Sequence, residues 1–347
     1  MRTLLALLLA LGVSQDAGYK PPAEVRSAFL KMLDRPRVDP DPKPVDTKTD
    51  GGLVTERLTI ASEKRRSGEF ERVPILLVRP EKLEGRAPAV IILHGTGGAK
   101  EGQRGWCAEL AKKGMIGLAI DARYHGERSG GQKGAAAYVE AITRAWRSKP
   151  EEMEHPFYYD TVWDLWRTVD YLVSRPDVDP KRLGMIGFSM GGIETWLAAS
   201  VDERIAVAVP AIGVQSFRFS LENNLWQGRA KTIAHAHAEA AKDLGEPEVN
   251  QRVCRELWGK VIPGILSDFD GPSLIRLFAG RPLLILNGEK DPNCPIEGAK
   301  IAFAQAEAAF KAAGCPEKLR ILVQPGGHTV PPDQQQAARD WFEKWLR

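Results

Sequence analysis

No lysine- or arginine-rich block occurs in this chain. Its 48 basic and 45 acidic residues are interspersed, and the net charge is only +3. That excludes the concentrated positive field by which nucleic-acid-binding proteins hold phosphates. The glycine-rich HGTGG, residues 94–98, fits neither G-x-x-x-x-G-K-[ST] nor G-x-G-x-x-G, so nucleotide binding is not expected. Cysteine is scarce, at four residues. Cys294 and Cys315 flank IEGAKIAFAQAEAAFKAAG, which reads as a helix. Such a helix holds its ends ~25 Å apart, whereas the Cα atoms of a disulfide lie within ~7 Å. Cys107 and Cys254 fall in separate predicted helices, so free thiols are expected. His235 and His237, two apart on a predicted helix, face different directions. No nearby cysteine or carboxylate completes a tetrahedral set, and neither a metal nor an organic cofactor is expected. Internal repeats are absent.

Long apolar runs are also missing. The leucine-rich stretch Leu4 to Leu11 belongs to a run of about 10 apolar residues, short of the ~18 needed to span a bilayer. With Arg2 before it and Gly12-Val13-Ser14 after it, residues 1–16 read as a secretory signal peptide. No cysteine stands at the cleavage point, which argues against a lipoprotein. The expectation is a secreted or periplasmic protein with no stable membrane insertion once the leader is removed.

What is present is ample apolar material, 43% of 347 residues. That suffices for a sizeable core, in one large domain with insertions or two of ordinary size. Residues 17–49 read as a short helix, AEVRSAFLKML, and a proline-rich extended linker, RPRVDPDPKPVD. From residue 50 the pattern becomes regular. LVTERLTI and FERVPILLVRP alternate apolar and polar residues, as half-buried antiparallel strands do. APAVIILHG is continuously apolar from Ala89 to Leu93, as a strand buried on both faces should be. Beyond it, helices and buried strands alternate to the end of the chain. That rhythm predicts an α/β fold with a mainly parallel, doubly wound sheet and antiparallel N-terminal strands. Residues from about 213 to 280 break the rhythm with helical patches and no strand, and predict an inserted helical cap. A second insertion is expected at about residues 129–159.

One pentapeptide carries the chemistry. In GFSMGG, residues 187–192, Ser189 stands between the predicted strand RLGMIGF and the helix MGGIETWLAA. G-x-S-x-G at a strand-to-helix turn presents a serine nucleophile above the sheet edge, and its glycines allow strand and helix to approach closely. A serine hydroxyl needs a base, and the base needs an orienting acid. His328, in PGGHTV after the last strand, supplies the first. Asp291, in NGEKDPNCP after the preceding strand, supplies the second, with Glu289 the alternative acid. The order Ser189, Asp291, His328 is the one this fold requires. Oxyanion donors are expected from the backbone N–H of Met190 and of Thr96, with Gly97 the alternative to Thr96.

GFSMGG, HGTGG, NGEKDPNCP and PGGH together resemble the α/β-hydrolase superfamily over about residues 50–347. DARYHGERSG and YYDTVWDLWRTVDYLVSRPDVDPKRLGMIGFSMGG are similar to dienelactone hydrolase-like and acetyl xylan esterase-like esterases. They are also similar to the related catalytic domain of prolyl-oligopeptidase-type peptidases. The resemblance implies hydrolysis of a carboxylic ester, on a small-molecule or acylated carbohydrate substrate. Members close to the original dienelactone hydrolases use cysteine where Ser189 stands, which argues against dienelactone itself. A peptidase is the first alternative, although only ~50 residues precede the first strand, too few for two propeller blades. A catalytically silent binding protein on the same fold is the second.

The remaining polar and aromatic residues have plainer readings. Asp121, Arg123 and His125 read as hydrogen-bond partners stabilising their loop, with Tyr124, or alternatively Arg123, a candidate substrate contact. Asp160 and Asp164, one helical turn apart, read as a solvated acidic pair or as helix-start charges. Asp268 and Asp270 read as turn residues. Phe217, Phe219, Trp226 and Trp258 either pack the cap onto the body or line a substrate pocket. Trp226 and Trp258 are the candidates for the latter role.

Overall fold

The computed structural model describes residues 18–347, so the leader assigned to residues 1–16 lies outside the described residues. Among the described residues nine strands form one mixed sheet. They are β1 (Lys43–Asp50), β2 (Leu53–Lys64), β3 (Phe70–Pro80), β4 (Ala87–Leu93), β5 (Ile116–Ile120), β6 (Val178–Phe188), β7 (Ile205–Ala211), β8 (Leu283–Gly288) and β9 (Leu319–Gln324). Their order across the sheet is β1-β2-β3-β5-β4-β6-β7-β8-β9. The pairs from β1 to β3, and β3 with β5, are antiparallel, while β5, β4 and β6 through β9 run parallel. The chain passes from β4 to β5 on one side and then crosses back to β6 on the other. The carboxyl ends of β4 and β6 therefore border a topological switch point, where open α/β sheets bind ligands.

Among the described residues twelve α-helices surround the sheet. They are α1 (Pro22–Leu33), α2 (Arg104–Lys112), α3 (Ala136–Arg147), α4 (Tyr159–Ser174), α5 (Met190–Val201), α6 (Phe217–Glu222), α7 (Gln227–Lys231), α8 (Ala234–Asp243), α9 (Gln251–Val261), α10 (Gly271–Ile275), α11 (Ile296–Ala312) and α12 (Pro332–Leu346). The period-two geometry of a strand sends alternate side chains to opposite faces. In β4, Ala89, Ile91 and Leu93 join the core shared with α1, α4, α5 and the cap, and Val90 and Ile92 join the core under α2 and α12. Every residue of β4 is buried, as its unbroken apolar run requires. Helices α6 to α10 fill the interval between β7 and β8 with no strand among them, and α3 packs against α8 and α9. Asp270 is buried and does more than turn the chain. Its carboxylate caps α10 through the Gly271 N–H at 2.8 Å and accepts the Phe217 N–H at 2.7 Å.

Two stretches depart from the expectations. The proline-rich segment is not all linker: β1 starts at Lys43 and pairs antiparallel with β2. Four of its eight residues are charged and seven are exposed, which suits an edge strand but hides it from an apolar pattern. Asp160 and Asp164 are not solvated; they are 1% and 0% exposed. Asp164 accepts from Arg123 Nε at 2.7 Å and Arg128 Nη1 at 2.8 Å, and Asp160 pairs with Arg35. Glu63 joins Arg35 to Arg123, and Glu71 accepts from Arg128. The network ties the N-terminal segment, β2, β3, the 121–128 loop and α4 together. No helix among the described residues is long and apolar enough to cross a membrane.

Candidate active site

Ser189 occupies the sharp turn between β6 and α5, with φ 56° and ψ −110°, a backbone conformation that non-glycine residues rarely adopt. Its N–H donates to Ala211 O at 3.0 Å, which ties the turn to β7. The flanking glycines are demanded by space. A Cβ on Gly187 would stand 2.1 Å from Gly191 O, and one on Gly191 would stand 2.6 Å from Leu93 Cβ. Gly187→Ala is therefore expected to lower stability by about 2–4 kcal/mol and to displace the serine, because the obstacle is backbone. A urea melt and an ester assay on that variant check this, and native-like values in both would remove the steric argument.

His328 sits in the loop after β9, and that loop is clamped. Lys290 N–H donates to Gly326 O at 2.9 Å and Gln324 Nε2 donates to Gly327 O at 2.7 Å. His328 Nε2 lies 2.7 Å from Ser189 Oγ, and His328 Nδ1 lies 2.7 Å from Asp291 Oδ2. With Nδ1 protonated and donating to the carboxylate, Nε2 accepts the serine hydroxyl. The other oxygen of Asp291 accepts the N–H groups of Asn293 (2.8 Å) and Cys294 (3.2 Å). Glu289, the alternative acid, is exposed. Thus three residues separated by 139 and 37 positions meet in one hydrogen-bonded chain.

Met190 opens α5, where the first N–H groups of a helix have no intrahelical partner. Thr96 lies in the tight turn closed by Gly98 N–H to Gly95 O at 3.0 Å. A Cβ added to Gly95 would be 3.5 Å from Ser189 Cβ, so this loop runs beside the serine. His94 holds it there. Its Nδ1 bonds Gly95 O at 2.8 Å and its Nε2 accepts the Ala122 N–H at 3.2 Å, which defines the tautomer. Burial lowers the pKa of His94 and favours this neutral form. Sequence reading passed over His94, although the histidine heading HGTGG was the available signal.

The three candidate substrate contacts are dispersed. Tyr124, at φ 62°, donates its hydroxyl to Glu154 and lies under Arg144. Trp226 is half-buried against the cap core, its indole N–H buried without a partner among the described residues. Trp258 is corrected: it is 1% exposed, in edge contact with Phe217, and its Nε1 donates to His237 Nε2 at 3.0 Å. It belongs to the interior of the cap, not to the lining of a cleft. Beside the acid turn runs an open groove of about 610 Å³, between α7 and residues 289–297, lined by Gly228, Lys231, Thr232, Glu289, Asp291 and Asn293. All four cysteines are buried and free, and burial pushes the Cys294 thiol up to about 12.

His237 makes the cap sensitive to acid. Burial depresses its pKa to about 4, below the unfolded value of 6.5. The native state then binds fewer protons than the unfolded state between those values. Its contribution is intact above pH 6.5 and is lost as pH falls towards 4, to the extent of about 3 kcal/mol. His237→Gln should flatten the decline in unfolding free energy between pH 7 and 4 by that amount. Parallel pH profiles for the two proteins would contradict it.

An elbow serine in strained backbone after β6, with a carboxylate from the end of β8 and a histidine from the end of β9, defines an α/β-hydrolase. Residues 73–260 match the model of the dienelactone hydrolase family, more than half of the chain, and the chain belongs to that family. By class it is a carboxylic ester hydrolase. It is 25% identical over 320 residues to YtaP of Bacillus subtilis (strain 168), which is named as a hydrolase, covering 88% of this chain and 95% of YtaP. Among solved structures it is similar to the acetyl xylan esterase from Paenibacillus sp. R4. The TM-score is 0.65 at 21% identity, over 96% of this chain and 98% of the other. Acetyl xylan esterase 1 from Thermoanaerobacterium sp. JW/SL YS485 gives a TM-score of 0.65 at 17% identity, over 95% of each chain.

Proposed function

We propose that the protein is an exported serine esterase that works through an acyl-enzyme on Ser189. The observation that carries this reading is the unbroken chain Asp291–His328–Ser189, 2.7 Å at each link, at a strained elbow. Ser189 Oγ attacks the ester carbonyl carbon while His328 Nε2 takes the hydroxyl proton. The carbonyl oxygen gains negative charge, and the N–H groups of Met190 and Thr96 stabilise it. Asp291 fixes the imidazole tautomer and stabilises the imidazolium. The tetrahedral intermediate collapses, the C–O bond to the alcohol breaks, and the alcohol leaves with the proton from Nε2. Water then attacks the acyl-enzyme with His328 as base, the carboxylic acid departs, and the proton returns to Ser189.

The names of the structural neighbours, acetyl xylan esterases, support an acylated carbohydrate or another small ester as substrate. The basic, leucine-rich and small-residue segments of residues 1–14 support export. The test is hydrolysis of para-nitrophenyl acetate, butyrate and octanoate beside a proline-type peptide anilide. Ester turnover is expected, with the chain-length profile reporting the acyl site. Anilide turnover with little ester activity would overturn the reading in favour of a peptidase.

A further inference from the structure

Arg229, in the cap helix α7, is 2% exposed and makes no ion pair with a carboxylate among the described residues. A buried guanidinium in that position is expensive unless its surroundings supply hydrogen bonds and compensating charge. Arg229 Nη2 donates to Asn293 O at 3.0 Å and to Cys294 Sγ at 3.2 Å, and the Phe217 ring lies 5.8 Å from the guanidinium. Asn293 and Cys294 are the residues whose N–H groups hold Asp291 Oδ1. The acid turn is therefore gripped from both sides, by the carboxylate within and by the cap arginine behind. The neighbouring Gly228 confirms the tight seat, since a Cβ there would stand 1.9 Å from Pro292 O.

The charges around Arg229 point the same way. Its titratable neighbours are Tyr158 before α4, Tyr138 on α3, and Cys294 and Asp291 on the acid turn. Burial raises both tyrosines and the thiol, so all three are neutral at pH 7. Burial likewise raises the pKa of Glu194 on α5, which interacts with both tyrosines. Asp291 is the remaining acidic group beside the guanidinium.

We infer that Arg229 is a positioning residue of the cap: it holds the Asn293–Cys294 turn behind Asp291 and so keeps this carboxylate aimed at His328. This rests on the proposed role of Asp291 and makes the cap a component of the catalytic machinery. Without Arg229 the turn loses its support and the carboxylate its aim, which slows the chemical step and leaves substrate binding in place.

The test uses para-nitrophenyl acetate with the wild type, R229K, R229M, D291N and R229M/D291N, each checked for native circular dichroism. R229M is expected to lower kcat by about 30- to 100-fold with KM within about 3-fold. R229K keeps a charged donor for Asn293 O and should stay within about 5-fold of wild type in kcat. In the D291N background the R229M change should cost less than about 3-fold, because its target is gone. An additive loss in the double variant, or a change in KM alone, would overturn the inference. Should R229M not fold, a kcat lowered by more than about 5-fold in folded R229K would also overturn it. D291N with wild-type kcat would instead refute the assignment of Asp291 as the acid, a result distinguishable from failure of the Arg229 inference.

Discussion

Ser189→Ala should lower kcat/KM for para-nitrophenyl esters by about 10⁴- to 10⁶-fold while leaving the fold intact. Deleting the nucleophile removes the covalent route altogether, and what remains is binding and oxyanion stabilisation. The stability prediction is separate. Alanine at φ 56° and ψ −110° keeps the same backbone strain and loses one partly exposed hydrogen bond, so unfolding free energy should change by less than about 1 kcal/mol. Ser189→Gly should be equally inactive yet more stable, by about 1–3 kcal/mol, because glycine occupies that region without penalty. Kinetics and urea unfolding on the two variants check both parts. Residual activity near wild type in Ser189→Ala would end the acyl-enzyme mechanism, and a Ser189→Gly variant no more stable than wild type would end the strain argument.

Asp164→Leu should be the most destabilising change outside the catalytic site, by about 3–5 kcal/mol. The carboxylate is fully buried and accepts from both Arg123 and Arg128, so its loss leaves two nearly buried guanidinium groups with one carboxylate each, Glu63 for Arg123 and Glu71 for Arg128. Burial works against the charge on Asp164, but Arg123 and Arg128 outweigh it and hold the carboxyl far below the usual carboxylate range. The sign follows. A depressed native pKa stabilises the fold above the unfolded pKa of about 3.8, and this is lost as pH falls below it. Asp160→Leu should have a smaller effect, since Asp160 pairs with Arg35, which is itself partly exposed and keeps Glu63 as a partner. Urea unfolding at pH 7 ranks the two. An Asp164 variant within 0.5 kcal/mol of wild type, on the scale of ordinary surface substitutions, would mean that the network adds no net stability.

The wrong reading of Asp160 and Asp164 shows where local pattern fails. Two aspartates one turn apart look the same in sequence whether water or arginine faces them. Their partners stand far off, Arg35 at 125 positions from Asp160 and Arg123 at 41 from Asp164, and only the packing of the segment after α1 and of the 121–128 loop around α4 brings them near. Trp258 failed for a related reason. An aromatic residue on a cap helix has no local feature that says which face it buries, and His237, its hydrogen-bond partner, lies 21 positions away on α8. β1 was missed because edge strands carry charge instead of an apolar run. Arg229 gave no signal at all, since a lone arginine in a polar helix is ordinary until the acid turn closes over it.

The amino-acid sequence by itself determined the order of the strands from β2 onward and of the helices that flank them, the continuously buried β4, the elbow around Ser189, and the placing of Asp291 and His328 after successive strands. These follow from short-range constraints: apolar periodicity, the space two glycines leave, and the rule that chemistry gathers at strand carboxyl ends. Only the tertiary structure decided which carboxylate meets the imidazole, which acidic residues are buried against arginine, and which cap side chains reach the acid turn. Those choices depend on groups distant in the chain and adjacent in space, and on the need of each buried charge to find a partner.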